Sequence, residues 1–324
     1  MKKSLYFSIL VTAMFSAHAY AADVSLSMGF VDPISSSYAK GGLKFAEEVK
    51  KLTDGRVEIN VIAGGSLGGE REMIEGVQMG TVDIGTAANP VFSQFIPEMV
   101  LLDQPYLFSS VEEAHKAIDG KLNELIETKA EAQGMRILGW LESGYRDVFS
   151  KDPVTKPEDF KGLKIRTMEN KMQIAAFNAL GAVATPMPFT EQYTALQQGT
   201  ISANENAICN MLINRYYEVI KNITRTNHQF TYIGVAISER AWQSIPEQDR
   251  PKVMEAMKTA VAWQRNDLAE LNAFSEKELT EKHGVKFHDI DRKALRDIIV
   301  PRLINLTASV PQEWKDAVAE ASKE

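Results

Sequence analysis

A chain of 324 residues, 44% of them hydrophobic, is long enough for roughly two domains with cores of their own. Its 36 basic and 43 acidic side chains leave a formal net charge of −7, which argues against sequence-independent nucleic-acid binding, a task for basic clusters. The single cysteine, Cys209, excludes an internal disulfide framework.

The N-terminus reads as an export leader. Lys2 and Lys3 precede an almost purely apolar run from Leu5 to Ala17, and Ala19-Tyr20-Ala21 supplies the small–x–small pattern of a signal-peptidase site. The run is too short for a bilayer span of about 20 residues, and no later segment is long enough. The expectation is therefore cleavage after Ala21, release into the periplasm and no direct membrane insertion. Losing Lys2 and Lys3 makes the mature chain two units more acidic.

Beyond the leader, Val24, Leu26 and Met28 alternate with Ser25 and Ser27 as in a strand. The Ser35-Ser36-Ser37 turn suits a helix cap, and Tyr38, Phe45, Val49 and Leu52 then share one helical face until Gly55. Val57, Ile59 and Val61 mark the next strand, 70–79 a helix stopping at Gly80, and 82–84 a short strand. A helix over 111–133 leads to a strand at 135–141 and a turn at Ser143-Gly144-Tyr145-Arg146. Strand 163–167, helix 171–180, strand 183–185 and a helix from Thr190 follow. This alternation predicts an α/β protein with largely parallel sheets. Between Pro251 and Gly284 there is neither proline nor glycine, so one long helix bridging two domains is expected, or two helices bent near Asn266.

No catalytic constellation emerges. The four histidines after the leader lack metal-binding spacing, and the glycines of 64–69 fit neither a phosphate loop nor a dinucleotide fingerprint. There is no G-x-S-x-G elbow, and Cys209 has no histidine near it in sequence. Two arginines are more suggestive. Arg166 lies near the carboxyl end of strand 163–167, where ligands approach an open α/β sheet, and its planar fork suits a carboxylate in a way lysine does not. Arg146 sits in the turn after strand 135–141. Read alone, each is more readily a solvated surface arginine than a ligand clamp.

Gly162-Leu163-Lys164-Ile165-Arg166-Thr167, Phe177-Asn178-Ala179-Leu180-Gly181-Ala182, Thr185-Pro186-Met187-Pro188-Phe189, Tyr193-Thr194-Ala195-Leu196-Gln197-Gln198-Gly199 and Glu205-Asn206 together resemble the extracytoplasmic binding proteins of TRAP transporters. Ser66-Leu67-Gly68-Gly69-Glu70, Gly80-Thr81-Val82-Asp83-Ile84 and Tyr216-Tyr217-Glu218-Val219 extend the resemblance over essentially the whole mature chain. It implies that Arg166 pairs with a substrate carboxylate, that Arg146 assists, and that Asn206 hydrogen-bonds the same end of the ligand. Phe189 would pack against the ligand, or belong to the core. Glu70 and Asn89 would make selectivity contacts, or serve as a helix-start acid and a turn residue before Pro90. Sialic-acid binders of this family carry polar side chains near Ala88 and Val31; the apolar pair here points instead to uronates, aldonates, C4-dicarboxylates or related hydroxy and keto acids.

The resemblance further implies a two-lobed fold joined by crossing strands and a long helix, with the ligand in the cleft and no cofactor. The expected lobes are 22–144 plus 233–272 and 145–232 plus 273–324. Closure on the ligand would shift an open–closed equilibrium, and the loaded form would dock on TRAP membrane permease subunits. A sensory protein presenting the acid to a membrane receptor fits the same residues; a secreted enzyme would need a proton-transfer or nucleophilic group that the sequence does not display, so no enzyme is expected, and turnover would reveal one.

Overall fold

The computed structural model describes residues 22–323; the expected leader and its cleavage point lie outside them. In chain order the regular elements are β1 (Val24–Gly29), α1 (Ser37–Leu52), β2 (Val57–Ile62), α2 (Glu70–Met79), β3 (Ile84–Ala88), α3 (Asn89–Phe92), α4 (Val111–Ile118), α5 (Lys121–Ala132) and β4 (Met135–Ser150). There follow β5 (Lys164–Thr167), α6 (Lys171–Ala179), β6 (Val183–Pro186), α7 (Gln192–Gln198), β7 (Ala203–Asn206), α8 (Ile208–Ile213), β8 (Asn222–Ser238), α9 (Glu239–Ser244), α10 (Arg250–His283), β9 (Lys286–His288), α11 (Arg292–Leu303) and α12 (Gln312–Ala321).

Local chemistry accounts for several boundaries. The Ser36 hydroxyl accepts from the Ala39 amide at 3.1 Å and so caps α1, a contact worth about 1 kcal/mol. Helix α2 stops where Gly80 turns left-handed at φ 72°. The helix expected over 111–133 is instead two, α4 and α5, because Gly120 adopts an extended conformation (φ −111°, ψ −148°) that no helix accommodates.

One sheet runs through the molecule in the order β2-β1-β3-β8-β4-β7-β5-β6, with β9 beside β8. Both flanks are parallel, β2-β1-β3 and β7-β5-β6, as the alternating pattern predicted. The centre is not: β8 runs antiparallel to β3 and β4, and β4 antiparallel to β7. The expected strand 135–141 and turn 143–146 are one strand of 16 residues. Its amino-terminal part pairs with the end of β8 beside β3, and its carboxyl end pairs with the start of β8 and with β7. Register shifts near Ile137, Glu142 and Arg146 kink this long pair without ending it, and Gly144 takes the left-handed φ of 80° that the middle kink requires. Buried polar residues at Glu142, Ser143, Arg146 and Asp147 give the stretch the composition of a turn.

The core divides accordingly. Leu26, Phe45, Val57, Ile84, Val235 and Met257 pack on one flank, and Phe149, Leu196, Tyr216, Ile223, Leu279 and Val285 on the other. A third cluster reaches from Ile74 and Trp140 to Phe177, Leu295 and Trp314. The stretch without proline or glycine is a single 34-residue helix, α10, with Pro251 in its first turn and Gly284 as its left-handed cap. Ala256, Met257 and Ala260 serve the first core and Leu279 the second. Midway, Gln264 clamps the helix to the kinked strand: Oε1 accepts from the Glu142 amide, and Nε2 donates to the Glu142 carbonyl, both at 2.8 Å. One part of the expected division does not fit the packing. Helix α12 lies against α4 and α5, with Trp314 buried, so the whole of 273–324 does not follow the second flank.

Candidate functional site

The two flanks meet at a cavity beside the kink in β4. From the first come Val31, Asp32, Tyr38, Glu70 and Ala88; from the second Arg166, Met168, Phe189 and Asn206; Ser143, Arg146 and Ile233 on the crossing strands complete the wall. Its volume is about 30 Å³, little more than a water needs.

Arg166 is placed by β5, between β7 and β6. The side chain is 2% exposed, and both Nε and Nη2 donate to the Met187 carbonyl, at 3.0 and 2.8 Å. No carboxylate pairs with it among the described residues, and Nη1 has no protein partner there. Burial, opposed by the charge of Glu205 and reinforced by that of Arg146, lowers its pKa.

Arg146 is differently engaged. Nε donates to Glu205 Oε2, Nη2 to Glu205 Oε1 at 2.9 Å and to the Glu205 carbonyl at 2.6 Å, and Nη1 to Asn206 Oδ1 at 3.0 Å. His228 Nε2 lies 3.2 Å from Glu205 Oε2. Burial alone would raise the Glu205 carboxyl, but the charge of Arg146 and the hydrogen bonds from His228 and Arg146 bring it down to about 2. Antiparallel pairing of β4 with β7 sets Val148 opposite Glu205 and Asp147 opposite Asn206, which brings these distant residues together. Arg146 thus meets the cavity already neutralised, and holds Asn206 in place rather than offering a free fork.

Asn206 Oδ1 also accepts from the Ala207 amide at 2.9 Å and from Asn210 Nδ2 at 3.0 Å, leaving its Nδ2 for the cavity. Asn210 Nδ2 donates to Tyr38 Oη at 2.8 Å, and Tyr38 Oη is 2.8 Å from Ser143 Oγ. A polar chain thereby links α1, the kinked strand and α8. Glu70, the first residue of α2, accepts from the Ala88 amide at 2.9 Å, and burial raises its pKa. Phe189, half-buried, lines the cavity from the turn after β6.

The structure does not bring Asn89 to the cavity. It is fully buried, donates to Asp103 Oδ1 at 2.7 Å and accepts from the Tyr232 amide at 3.0 Å, while Asn170 donates to Asp103 Oδ2 at 2.6 Å. This is a structural joint, nearer the turn role than the selectivity contact. Asp32, Tyr38 and Ser143 are wall residues that sequence reasoning missed. Val31 and Ala88, read there as apolar departures, do face the cavity.

A wider, open depression of about 420 Å³ lies on the opposite face of β4, walled by Tyr106, Phe108, Tyr145, Arg292 and Arg296. None of these is a fully buried polar group aimed inward, as the two arginines of the inner cavity are. Among the described residues no group of three or more His, Cys, Asp or Glu is placed to hold a metal, and no helix is long and apolar enough to cross a membrane.

Two lobes hinged on long crossing strands and one long helix, closing over a buried arginine, define the class of two-lobed solute-binding proteins. Residues 28–309 match the family model of bacterial extracellular solute-binding proteins, family 7, and the chain belongs to that family. The 2,3-diketo-L-gulonate-binding periplasmic protein YiaO of Escherichia coli is 33% identical over 89% of this chain and 88% of its own length. The C4-dicarboxylate-binding periplasmic protein DctP of Rhodobacter capsulatus is 28% identical over 95% of this chain and 94% of its own. A TRAP periplasmic solute-binding protein of Polaromonas, solved with D-erythronate bound, superposes with a TM-score of 0.89 at 32% identity, covering 93% of this chain and all of that one.

Proposed function

We propose that this chain captures a small organic carboxylate in the periplasm, a sugar acid foremost, and hands it to a TRAP membrane permease without chemical change. The observation that carries this is Arg166: a buried guanidinium at an interlobe cavity, with no carboxylate paired to it among the described residues. Two charge-assisted hydrogen bonds to a ligand carboxylate would complete it. Asn206 Nδ2 would donate beside it, Arg146 and Glu205 would hold that asparagine, Phe189 would cover the carbon chain, and Glu70 would meet the far end. The sugar-acid class is supported by the relatives that bind diketogulonate and erythronate.

The leader leaves after Ala21. The first lobe comprises 22–144 plus 233–272, and the second 145–232 plus 273–311; α12 rides on the first. Opening at the kink of β4 and β8 admits the ligand, and contacts from both walls favour closure.

The test is a thermal-shift series on the mature protein with aldonates, uronates, dicarboxylates and keto acids. A ligand at about 100 times its Kd adds roughly 2.7 kcal/mol to apparent stability. The expected result is a shift from one acid group in the native protein and a much smaller one, or none, in Arg166→Ala. Equal shifts in both would overturn the role of Arg166, and conversion of the acid during incubation would make the protein an enzyme.

A further inference from the structure

Asp32 follows the end of β1 and enters the cavity wall from the first lobe, 6% exposed. No other residue donates a hydrogen bond to its carboxyl among the described residues, and Oδ1 is sealed from solvent without a partner. Buried polar atoms are normally satisfied, and a lone buried acid is costly to the empty fold. In the wall of a cavity, such a group is a candidate for contact with a ligand.

We propose that Asp32, with Glu70 beside it, is a specificity-determining residue: it receives the hydroxyl groups of the bound acid and turns away a second carboxylate. The site then takes polyhydroxy monocarboxylates and rejects dicarboxylates. This rests on the reading that Arg166 anchors a carboxylate.

Charge bookkeeping supports it. Glu205 already neutralises Arg146, so among the described residues Arg166 is the wall cation with no acid paired to it, enough for one ligand carboxylate. Glu70 and Asp32 stand on the other lobe, and Val31, Ala88, Met168 and Ile233 add only apolar surface. A hydroxyl both donates and accepts, so it satisfies Asp32 protonated or ionised. A second carboxylate only accepts. It meets Asp32 favourably only while Asp32 keeps its proton, and even then faces Glu70. Burial first, and the charge of Glu70 second, raise the Asp32 carboxyl to about 8, against the smaller pull of its own backbone amide and of the Arg146 charge.

The experiment titrates native protein and Asp32→Asn with two matched pairs, D-erythronate against meso-tartrate and D-galactonate against galactarate. Within each pair the acids differ only in a terminal CH2OH or COO⁻. The native protein should prefer one of the monocarboxylates at least tenfold over its partner. Asp32→Asn should bind that acid at least tenfold more weakly and lose most of the preference, while its unliganded melting temperature stays equal or rises. A residue that merely held the fold together would lower it. Should Asp32→Asn fail to fold, Glu70→Gln carries the same expectation of a narrowed preference. Like affinity of the native protein for both members of a pair, or an undiminished preference in the variants, overturns the proposal and leaves the carboxylate anchor standing. Failure of the native protein to bind any of the four acids overturns the proposal, and failure with the uronates and keto acids as well overturns the carboxylate anchor.

Discussion

Arg146 and Arg166 line one cavity, and both are buried, yet their surroundings are opposites. Arg146 is gripped on three nitrogens by Glu205 and Asn206, with His228 behind them; Arg166, among the described residues, hydrogen-bonds only the Met187 carbonyl. The difference separates a charge that belongs to the fold from a charge reserved for a ligand. Truncating a partnered buried ion strands its mate, whereas truncating an unpartnered one relieves a desolvation cost.

The largest expected effect falls on binding. Arg166→Ala should cost the ligand about 2–5 kcal/mol, the range for removing one side of a buried charge pair. That is a loss of some 30- to several thousand-fold, read by calorimetric titration, with the melting temperature of the unliganded protein no lower than native. Arg146→Met should do the reverse. Stranding Glu205 should destabilise the fold by about 3–5 kcal/mol, measured by denaturant midpoint. Replacing Glu205 as well, with Leu, should recover part of that loss, because the stranded charge is gone. If the two arginine variants behaved alike in stability, the contrast between them would collapse.

Acid and base should pull the same two ends apart. Glu205 is held at about 2, below its ordinary 4.5, so its stabilisation is full above about pH 4.5 and fades as the pH falls through 2. Asp32 is displaced the other way, to about 8 from 3.8. The folded state then holds a proton that the unfolded chain has released, and stability falls as pH rises from about 4 to 8. Melting temperature against pH should accordingly slope down over that upper range, and less steeply in Asp32→Asn. An unchanged slope would show that Asp32 titrates in the folded protein as it does in the unfolded chain.

How far the sequence reveals this depends on how local each signal is. Helices α1, α2 and α10 are legible because caps and apolar spacing lie within the element: Ser36 ahead of Tyr38, Gly80 after Met79, no proline or glycine from Lys252 to His283. Arg166 is legible from its strand end and the family pattern. The centre of the sheet is not, since β4 and β8 bury Glu142, Arg146, Asp147, Thr231 and other polar side chains that erase the alternation on which strand reading depends. Glu205 as the mate of Arg146 is invisible for a related reason. Fifty-nine residues separate them, and only the pairing of β4 with β7 joins them. Asp32 carries no local signal of its own; only its neighbour Val31, at a position where the family pattern places a polar side chain, points to the site.

The kink between the two arginine environments offers the finest comparison. Gly144 holds φ at 80° in the middle of β4, and a Cβ built there would meet only Glu142 Oε1 at 3.4 Å and Leu268 Cδ2 at 3.6 Å. Space is therefore not what demands glycine; backbone conformation is. Gly144→Ala should cost about 1–2 kcal/mol, the left-handed penalty for an L-residue, seen as a lower denaturant midpoint at unchanged m-value. Its effect on affinity discriminates between two roles for the kink. If the strand keeps this conformation with the lobes open and closed, the strain cancels between the two states and the Kd stays within about twofold. If opening changes the Gly144 dihedrals, the strain falls on one state only and the Kd moves by about five- to thirtyfold, the same 1–2 kcal/mol expressed as binding.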